Sequence, residues 1–270
     1  MSVLIQISDP HFGTERPPVM NALLQLVGAT RPDVAVLSGD LTQRARRRQF
    51  AAARAFSDQL RVRFVLALPG NHDIPMFNVL ARLTAPYANY QRAFGPDLEP
   101  RFESAEFLVI GVNTTRPYRR KDGEVSAEQV QRVKKSLLGA RGEQIRIVVT
   151  HQPVHVIRRQ DEANLLHGSE LAVREWSAAG ADLIMGGHIH LPYVRPLSDR
   201  FTDLPRRTWV VQAGTAISHR VRHEAPNSIN IVRRVSGGQL SCVVERWDYQ
   251  AAAGQFELAQ SDMLELDRRT

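Results

Sequence analysis

Short apolar runs punctuate the first two thirds of the chain, and most end abruptly in small or polar residues. Residues 3–7, 34–37, 64–68, 107–112, 145–149 and 183–185 read as buried strands. Helical spacing fills the gaps between them. Val19, Leu23, Leu26 and Val27 recur at that spacing after Pro17 and Pro18, and Phe50, Ala53 and Phe56 mark the inner edge of a helix over about 47–60. Ser126 with Gln129 forms a capping box before Val130, Val133, Leu137 and Leu138, and Gly139 closes that helix. Another helix is predicted over about 169–179. Residues 74–94 look helical but are interrupted by Pro75 and Pro86. After His190 the alternation stops, and strands alone follow at 208–212, 228–232 and 240–247, which predicts a second sheet packed on the first. Beyond about residue 250, Phe256, Leu258, Met263, Leu264 and Leu266 are apolar enough to dock but fit no single element. The pattern is α/β, with no repeat and no linker, and predicts one domain over residues 1–270.

Composition narrows the class. With 43% hydrophobic and 23% charged residues in 270, the chain has a globular balance and enough length for a large core. No stretch approaches the roughly 20 apolar residues of a membrane span. A strand-like run follows Met1 almost at once, so a secretory leader is not expected and the cytoplasm is the expected compartment. Cys242 is the only cysteine, which excludes an internal disulfide and a thiolate metal cluster. The formal charge of +7 favours anionic substrates, yet 35 basic residues against 28 acidic ones do not make a nucleic-acid arm. The basic runs at 44–48, 119–121 and 158–159 read as solvated faces unless one of them borders a site.

Chemistry gathers where the apolar runs stop. Asp9 with His11, Asp40 beside Gly39, Asn71 with His72 and Asp73 after Pro69-Gly70, His151, and His188 with His190 each follow a strand-like run, and five of the nine histidines lie there. Neighbouring parallel strands bring such turns to one edge. Buried carboxylates and imidazoles are costly unless something pairs them, and metal coordination does so. Counting ligands gives two ions: Asp9, His11 and His190 for one, Asn71, His151 and His188 for the other, with Asp40 shared. Mixed nitrogen and oxygen shells suit two divalent transition ions, Mn, Fe, Zn or Co, rather than Ca or Mg. Such a pair activates a bridging hydroxide for phosphoryl displacement. In the same turn His72 offers a titrating nitrogen, and Asp73 an acceptor able to fix its tautomer.

In order, Asp9-Pro10-His11, Gly39-Asp40, Gly70-Asn71-His72-Asp73, His151 and Gly187-His188-Ile189-His190 resemble the motifs of the calcineurin-like metallophosphoesterases, and most closely bacterial class III cyclic-nucleotide phosphodiesterases. The resemblance implies a two-sheet β-sandwich flanked by helices, a four-layer αββα fold. It implies the same two ligand sets, with His72 as a non-ligand imidazole near the leaving group and Asp73 orienting it. Gln152 stands where the family often has a second histidine, which leaves the His151 ligand intact. The stretch 214–222 also resembles the segment that follows the last motif in those phosphodiesterases. Arg220 and Arg222 could clamp a phosphate bidentately or point into water, and His219 could face the metals.

The expected function is therefore a binuclear-metal phosphodiesterase for a small phosphodiester, with 3',5'-cyclic nucleotides leading. A nuclease or a nucleotide or lipid-linked pyrophosphatase is the alternative; a scaffold without chemistry is the third reading, disfavoured because every ligand and His72 are in place. Nothing in the sequence reads as an amphipathic membrane helix, which weighs against lipid-linked substrates. A homodimer is open at the level of the family, and no stretch marks it. His155, His167 and His223 read as surface or core histidines, Asn113 as a strand terminator and Trp176 as core packing.

Overall fold

The computed structural model describes residues 2–222, 225–235, 237 and 240–268, so His223 lies outside it. The elements follow in the order β1 (Val3–Ile7), α1 (Pro17–Thr30), β2 (Val34–Ser38), α2 (Arg47–Gln59), β3 (Phe64–Leu68), α3 (Val79–Thr84), α4 (Ala88–Phe94), β4 (Arg101–Glu103), β5 (Phe107–Gly111), α5 (Ala127–Leu138), β6 (Ile145–Val149), α6 (Ser169–Ala178), β7 (Leu183–Gly186), β8 (Tyr193–Pro196), β9 (Trp209–Gln212), β10 (Ser228–Val235), β11 (Ser241–Gln250) and β12 (Gln255–Glu265).

They build two six-stranded sheets, ordered β12-β11-β10-β1-β2-β3 and β4-β5-β6-β7-β9-β8. Each has parallel strands, β1 to β3 in one and β5, β6, β7 and β9 in the other, extended by antiparallel neighbours. Side-chain alternation assigns the faces. From β1, Leu4 enters an inter-sheet core with Val36, Val109, Ile147 and Met185, whereas Val3, Ile5 and Ile7 pack with Val19, Leu23, Phe50 and Phe56 of α1 and α2. On the far side Val148 and Ile184 meet Val130, Val133 and Trp176 of α5 and α6. The result is helix, sheet, sheet, helix. Strands apolar on both faces need such cover, which is why they read as unbroken apolar runs.

Local signals set several element ends. Pro17 opens α1, and the Ser126 and Gln129 side chains and backbones exchange hydrogen bonds of 3.2 and 2.9 Å at the start of α5. The interrupted stretch 74–94 resolves into α3, capped by the Asn78 side chain, and α4, tied down by the Tyr90 hydroxyl on the Ala67 carbonyl at 2.7 Å.

One expectation is corrected and one open stretch is settled. The strands after His190 do not form a sheet of their own: β8 and β9 complete the β5–β7 sheet, and β10 to β12 extend the β1–β3 sheet by antiparallel pairing on β1. The tail beyond residue 250, left open by the sequence, carries β12, which is hydrogen-bonded to β11 with a register shift at Arg246/Trp247. Alternation identifies a strand, but its partner depends on contacts hundreds of residues away. Among the described residues, no helix is long and apolar enough to cross a membrane.

Trp176 is fully buried in the outer layer and donates its indole N–H to the Val130 carbonyl at 3.2 Å. Trp176→Ala should cost about 3–5 kcal/mol in urea unfolding. Metal stoichiometry of the remaining folded protein should not change, and a lost ion on titration would contradict the separation of outer layer from site.

Candidate dimetal centre

The turns after β1, β2, β3, β6 and β7 meet where the parallel edges of the two sheets come together. Backbone hydrogen bonds fix them to one another: Asp9 N–H to the Gly39 carbonyl at 3.1 Å, His11 N–H to the Asp40 carbonyl at 3.0 Å, and Gly187 N–H to the His151 carbonyl at 2.9 Å. The motif glycines have a steric reason. A Cβ on Gly70 would run into the Asp40 backbone nitrogen and carboxylate, and one on Gly39, at φ 97°, would strike the His151 ring.

Two ligand groups result. In the first, Asp9 Oδ1 lies 3.2 Å from His190 Nε2 and 3.8 Å from His11 Nε2, and the two imidazole nitrogens are 3.1 Å apart. The second joins Asp40, His151 and His188, with Asn71 Oδ1 3.3 Å from His151 Nε2. Asp40 reaches both: its Oδ2 is 3.7 Å from His11 Nε2 and its Oδ1 is 3.3 Å from His151 Nε2. The carboxylate expected as the bridge thus presents one oxygen to each group.

The donor set fits a pair of cations. Asp9 Oδ1 and both ring nitrogens of His188 are buried without a hydrogen-bond partner, a costly arrangement that ions in these groups would relieve. Other atoms orient the donors. The Ser38 carbonyl lies 2.9 Å from His151 Nδ1 and the Arg220 carbonyl 2.6 Å from His190 Nδ1, which leaves Nε2 of each ring facing inward. Ser8 donates to Asp9 Oδ2 at 2.6 Å.

The electrostatics point the same way. Burial opposes ionisation of Asp9 and Asp40, yet His190 beside the one and His151 beside the other hold both carboxyls below the ordinary range. Burial pushes the His11 and His188 imidazoles down to about 3. His151 is the exception: burial opposes its charge, but Asp40 and Asp9 draw its pKa up to about 9. Its proton supplies positive charge where a cation would sit.

The second half of the GNHD turn departs from expectation. Asp73 does not orient His72. Its carboxylate accepts from the Leu41, Thr42 and Gly70 N–H groups and the Thr42 hydroxyl at 2.8–2.9 Å, so it clamps the β3 turn to the β2 turn. Burial and the nearby Asp40 charge push that carboxyl up to about 7, against the pull of those donors. His72 Nδ1 lies 2.9 Å from the Gln43 carbonyl instead, and its Nε2 is 3.1 Å from Arg220 Nη1. A carbonyl accepts and a guanidinium donates, so the proton is assigned to Nδ1 and the lone pair to Nε2.

Of His219, Arg220 and Arg222, Arg220 is the one that enters the site. Arg222 is spent on both Asp161 oxygens at 3.1 Å and on the Ile189 carbonyl, which makes it a tie between loops. His219 is exposed, and its backbone N–H is bound to the Thr14 carbonyl.

A cavity of about 460 Å³ opens over the centre, with Asp40, Asn71, His72, His188 and His190 in its wall and Met76, Arg120, Lys121 and Arg220 around them. The 119–121 basic run therefore borders the site. A larger cavity of about 1080 Å³ lies elsewhere, walled by Arg206, Arg234 and Arg268, but it has no histidine and those guanidiniums are paired with Asp182, Glu106 and Glu143. Chemistry, not volume, marks the site.

A family model described as calcineurin-like phosphoesterase matches residues 2–192. The chain belongs to the calcineurin-like phosphoesterases. No curated protein sequence matches it significantly. Among solved structures, a dimetal phosphatase from Danio rerio is 14% identical, with a TM-score of 0.68 over 98% of this chain and 99% of that one. The purple acid phosphatase PPD1 from yellow lupin seeds is 13% identical, with a TM-score of 0.72 over 98% of this chain and 53% of that one. A Vps29 single mutant from Entamoeba histolytica is 12% identical, with a TM-score of 0.51 over 98% and 99%. At these identities the likeness is one of fold. This phosphoesterase thus combines the family architecture with two candidate metal-binding groups, the equipment of a metal-dependent phosphoester hydrolase.

With His151 as a ligand, metal uptake would have to displace its proton, because only the neutral ring coordinates a metal. The affinity of chelator-treated protein for Mn²⁺ should therefore climb by about tenfold per pH unit from neutrality toward pH 9 and then level off. Calorimetry in buffers of different ionisation heat should register the released proton. The metal-free fold should show the opposite trend: the His151–Asp40 pair stabilises it below about pH 6.5, and that contribution is lost as pH rises through about 9. Affinity independent of pH over this range would sink the assignment.

Proposed function

We infer that this phosphoesterase, acting as one domain, hydrolyses small phosphodiesters at a binuclear centre, with 3',5'-cyclic nucleotides the leading substrate. The observation that carries the reading is Asp40 facing both ligand groups beneath an open cavity bordered by Arg220, Arg120 and Lys121. Asp9, His11 and His190 would hold one ion and Asn71, His151 and His188 the other, with Asp40 between them. When bound, such a pair supplies Lewis acidity and an activated water at neutral pH.

The chain's own residues do the rest. Arg220 binds a phosphate oxygen through its planar guanidinium, which matches such oxygens bidentately. That contact competes with its hold on His72 Nε2. Once released, Nε2 can take up a proton from water and pass it to the departing oxygen, while Nδ1–H still donates to the Gln43 carbonyl. Gln43 also accepts from Arg220 through its side chain at 3.1 Å, so one residue positions both partners. The fold alone would not support catalysis, since a protein named for vacuolar sorting shares it. The intact ligand groups and His72 favour an enzyme.

Two experiments test this. Protein reconstituted with Mn²⁺ should turn over cyclic nucleotides or glycerophosphodiesters well above nucleotide monoesters and single-stranded DNA; monoester turnover equal to diester turnover would place it in a different reaction class. His72→Ala should retain both ions yet lose about 10²–10⁴-fold in rate on diesters with alkyl leaving groups, and much less on nitrophenyl diesters, whose leaving group needs no proton. Equal losses on both substrates would remove His72 from the leaving-group side.

A further inference from the structure

Helix α3 buries none of its residues. Phe77, Val79, Leu80 and Leu83 are 63–74% exposed, Tyr118 is 69% exposed and Met76 38%. This is not a scatter of single apolar residues. The Arg82 guanidinium donates to the Pro75, Pro117 and Arg119 carbonyls at 2.5–3.2 Å, which locks α3 and the 116–121 loop into one face. Contiguous exposed apolar surface of this kind marks an interaction site.

The face is also cationic. Residues 75–85 and 116–121 contain Arg82, Arg116, Arg119, Arg120 and Lys121 and no acidic residue. Arg44 stands 5.5 Å above the Phe77 ring, at the start of the 44–48 basic run. Of these, Arg119 is neutralised by Asp122 and Glu124, while Arg120 and Lys121 are exposed at the cavity. Apolar residues on a short helix with basic residues beside them are the makings of an interfacial anchor on anionic lipid. A second copy fits poorly, because a two-fold contact through this face would set Arg44, Arg120 and Lys121 against their own copies. Met76 belongs both to this face and to the cavity wall, so a bilayer touching α3 would lie at the mouth of the site.

We propose that α3 and the 116–121 loop seat the protein on an anionic lipid bilayer, with the cavity opening at the headgroup layer. The seating needs neither metal nor turnover. Only its consequence, a substrate drawn from that layer, rests on the phosphodiesterase reading. It reverses the weight given above to the lack of a membrane helix: α3 is too short to register as one in sequence, and its exposure appears only in the fold.

Co-sedimentation tests it. The full chain, in chelator, should pellet with vesicles of phosphatidylcholine and phosphatidylglycerol at least about tenfold better than with phosphatidylcholine alone, and the binding should weaken as salt rises. The triple variant Phe77→Ser, Leu80→Ser, Leu83→Ser should lose about tenfold or more of that binding. Because all three side chains are exposed, its circular dichroism and its hydrolysis of a soluble nitrophenyl diester should match the parent. Vesicle binding equal in parent and variant would overturn the proposal, as would failure of the parent to bind. So would a parent that sediments as a dimer without vesicle binding while the variant is monomeric, since the face would then join two copies. Binding as expected, with no diester turnover in the metal-loaded parent, would overturn the phosphodiesterase reading and leave the seating intact.

Discussion

Carboxylates and imidazoles gathered out of reach of water need compensating positive charge, and this protein is organised around that need. Asp9 and Asp40 are buried and held ionised by neighbouring imidazoles, while His11 and His188 are buried too deeply to carry protons themselves. His151, by contrast, gains charge because it stands against Asp40. Ion pairs can meet that demand only in part, since both His188 nitrogens stay without a hydrogen-bond partner. Half-satisfied polar clusters are worse than apolar ones, so the cluster makes sense as a receptacle for cations.

How much of this was legible in the sequence depends on whether a feature is local. A turn carrying Asp9 and His11, or His188 and His190, announces itself because ligand-type side chains follow an apolar run. All five runs ending in such turns are parallel strands beside a like neighbour in chain order, β1 to β3 in one sheet and β6 with β7 in the other, which gathers the ends within each sheet without remote information. The helices were read closely for the same reason, as with the Ser126 cap of α5. β10 and β11 read as strands in the sequence but with the wrong partner, because pairing of Val3 with Arg233 joins segments from opposite ends of the chain, and β12 carries no clear strand pattern at all. The orientation of His72 was misread because its partner is the Gln43 carbonyl, a backbone group every residue possesses. Arg222 and Arg220 look alike two positions apart; only Asp161, from a loop with no pattern of its own, separates a tie from a site residue.

The backbone of the turns sets the geometry of the centre. Asp9, His11, Asp40, His188 and His190 all have positive φ, from 45° to 71°. Residues other than glycine pay about 1–3 kcal/mol for such backbone, and it persists only where surroundings over-determine it. Here the surroundings are the strand ends themselves, the cross-turn hydrogen bonds, and the four donors on Asp73. Left-handed backbone reverses the chain sharply enough for residues two apart, such as His188 and His190, to serve different ligand groups. Extended backbone would instead place residues two apart on one face.

Division of labour follows from this rigidity. Two sheets hold the turns, the turns hold the donors, and neither can vary without dismantling the centre, so selectivity has to come from segments that bear no load. α3 is such a segment: six residues, none buried, capped by Asn78 at its own start and joined to the rest by the Arg82 clasp. Polar side chains there would cost the fold nothing, since no core contact would be lost, and they would be the ordinary choice for a helix in water. Exposed Phe77, Leu80 and Leu83 therefore have no explanation in stability. What remains is recognition, and the shared residue Met76 ties it to the cavity over the ligands: whatever covers α3 also borders the phosphoester site.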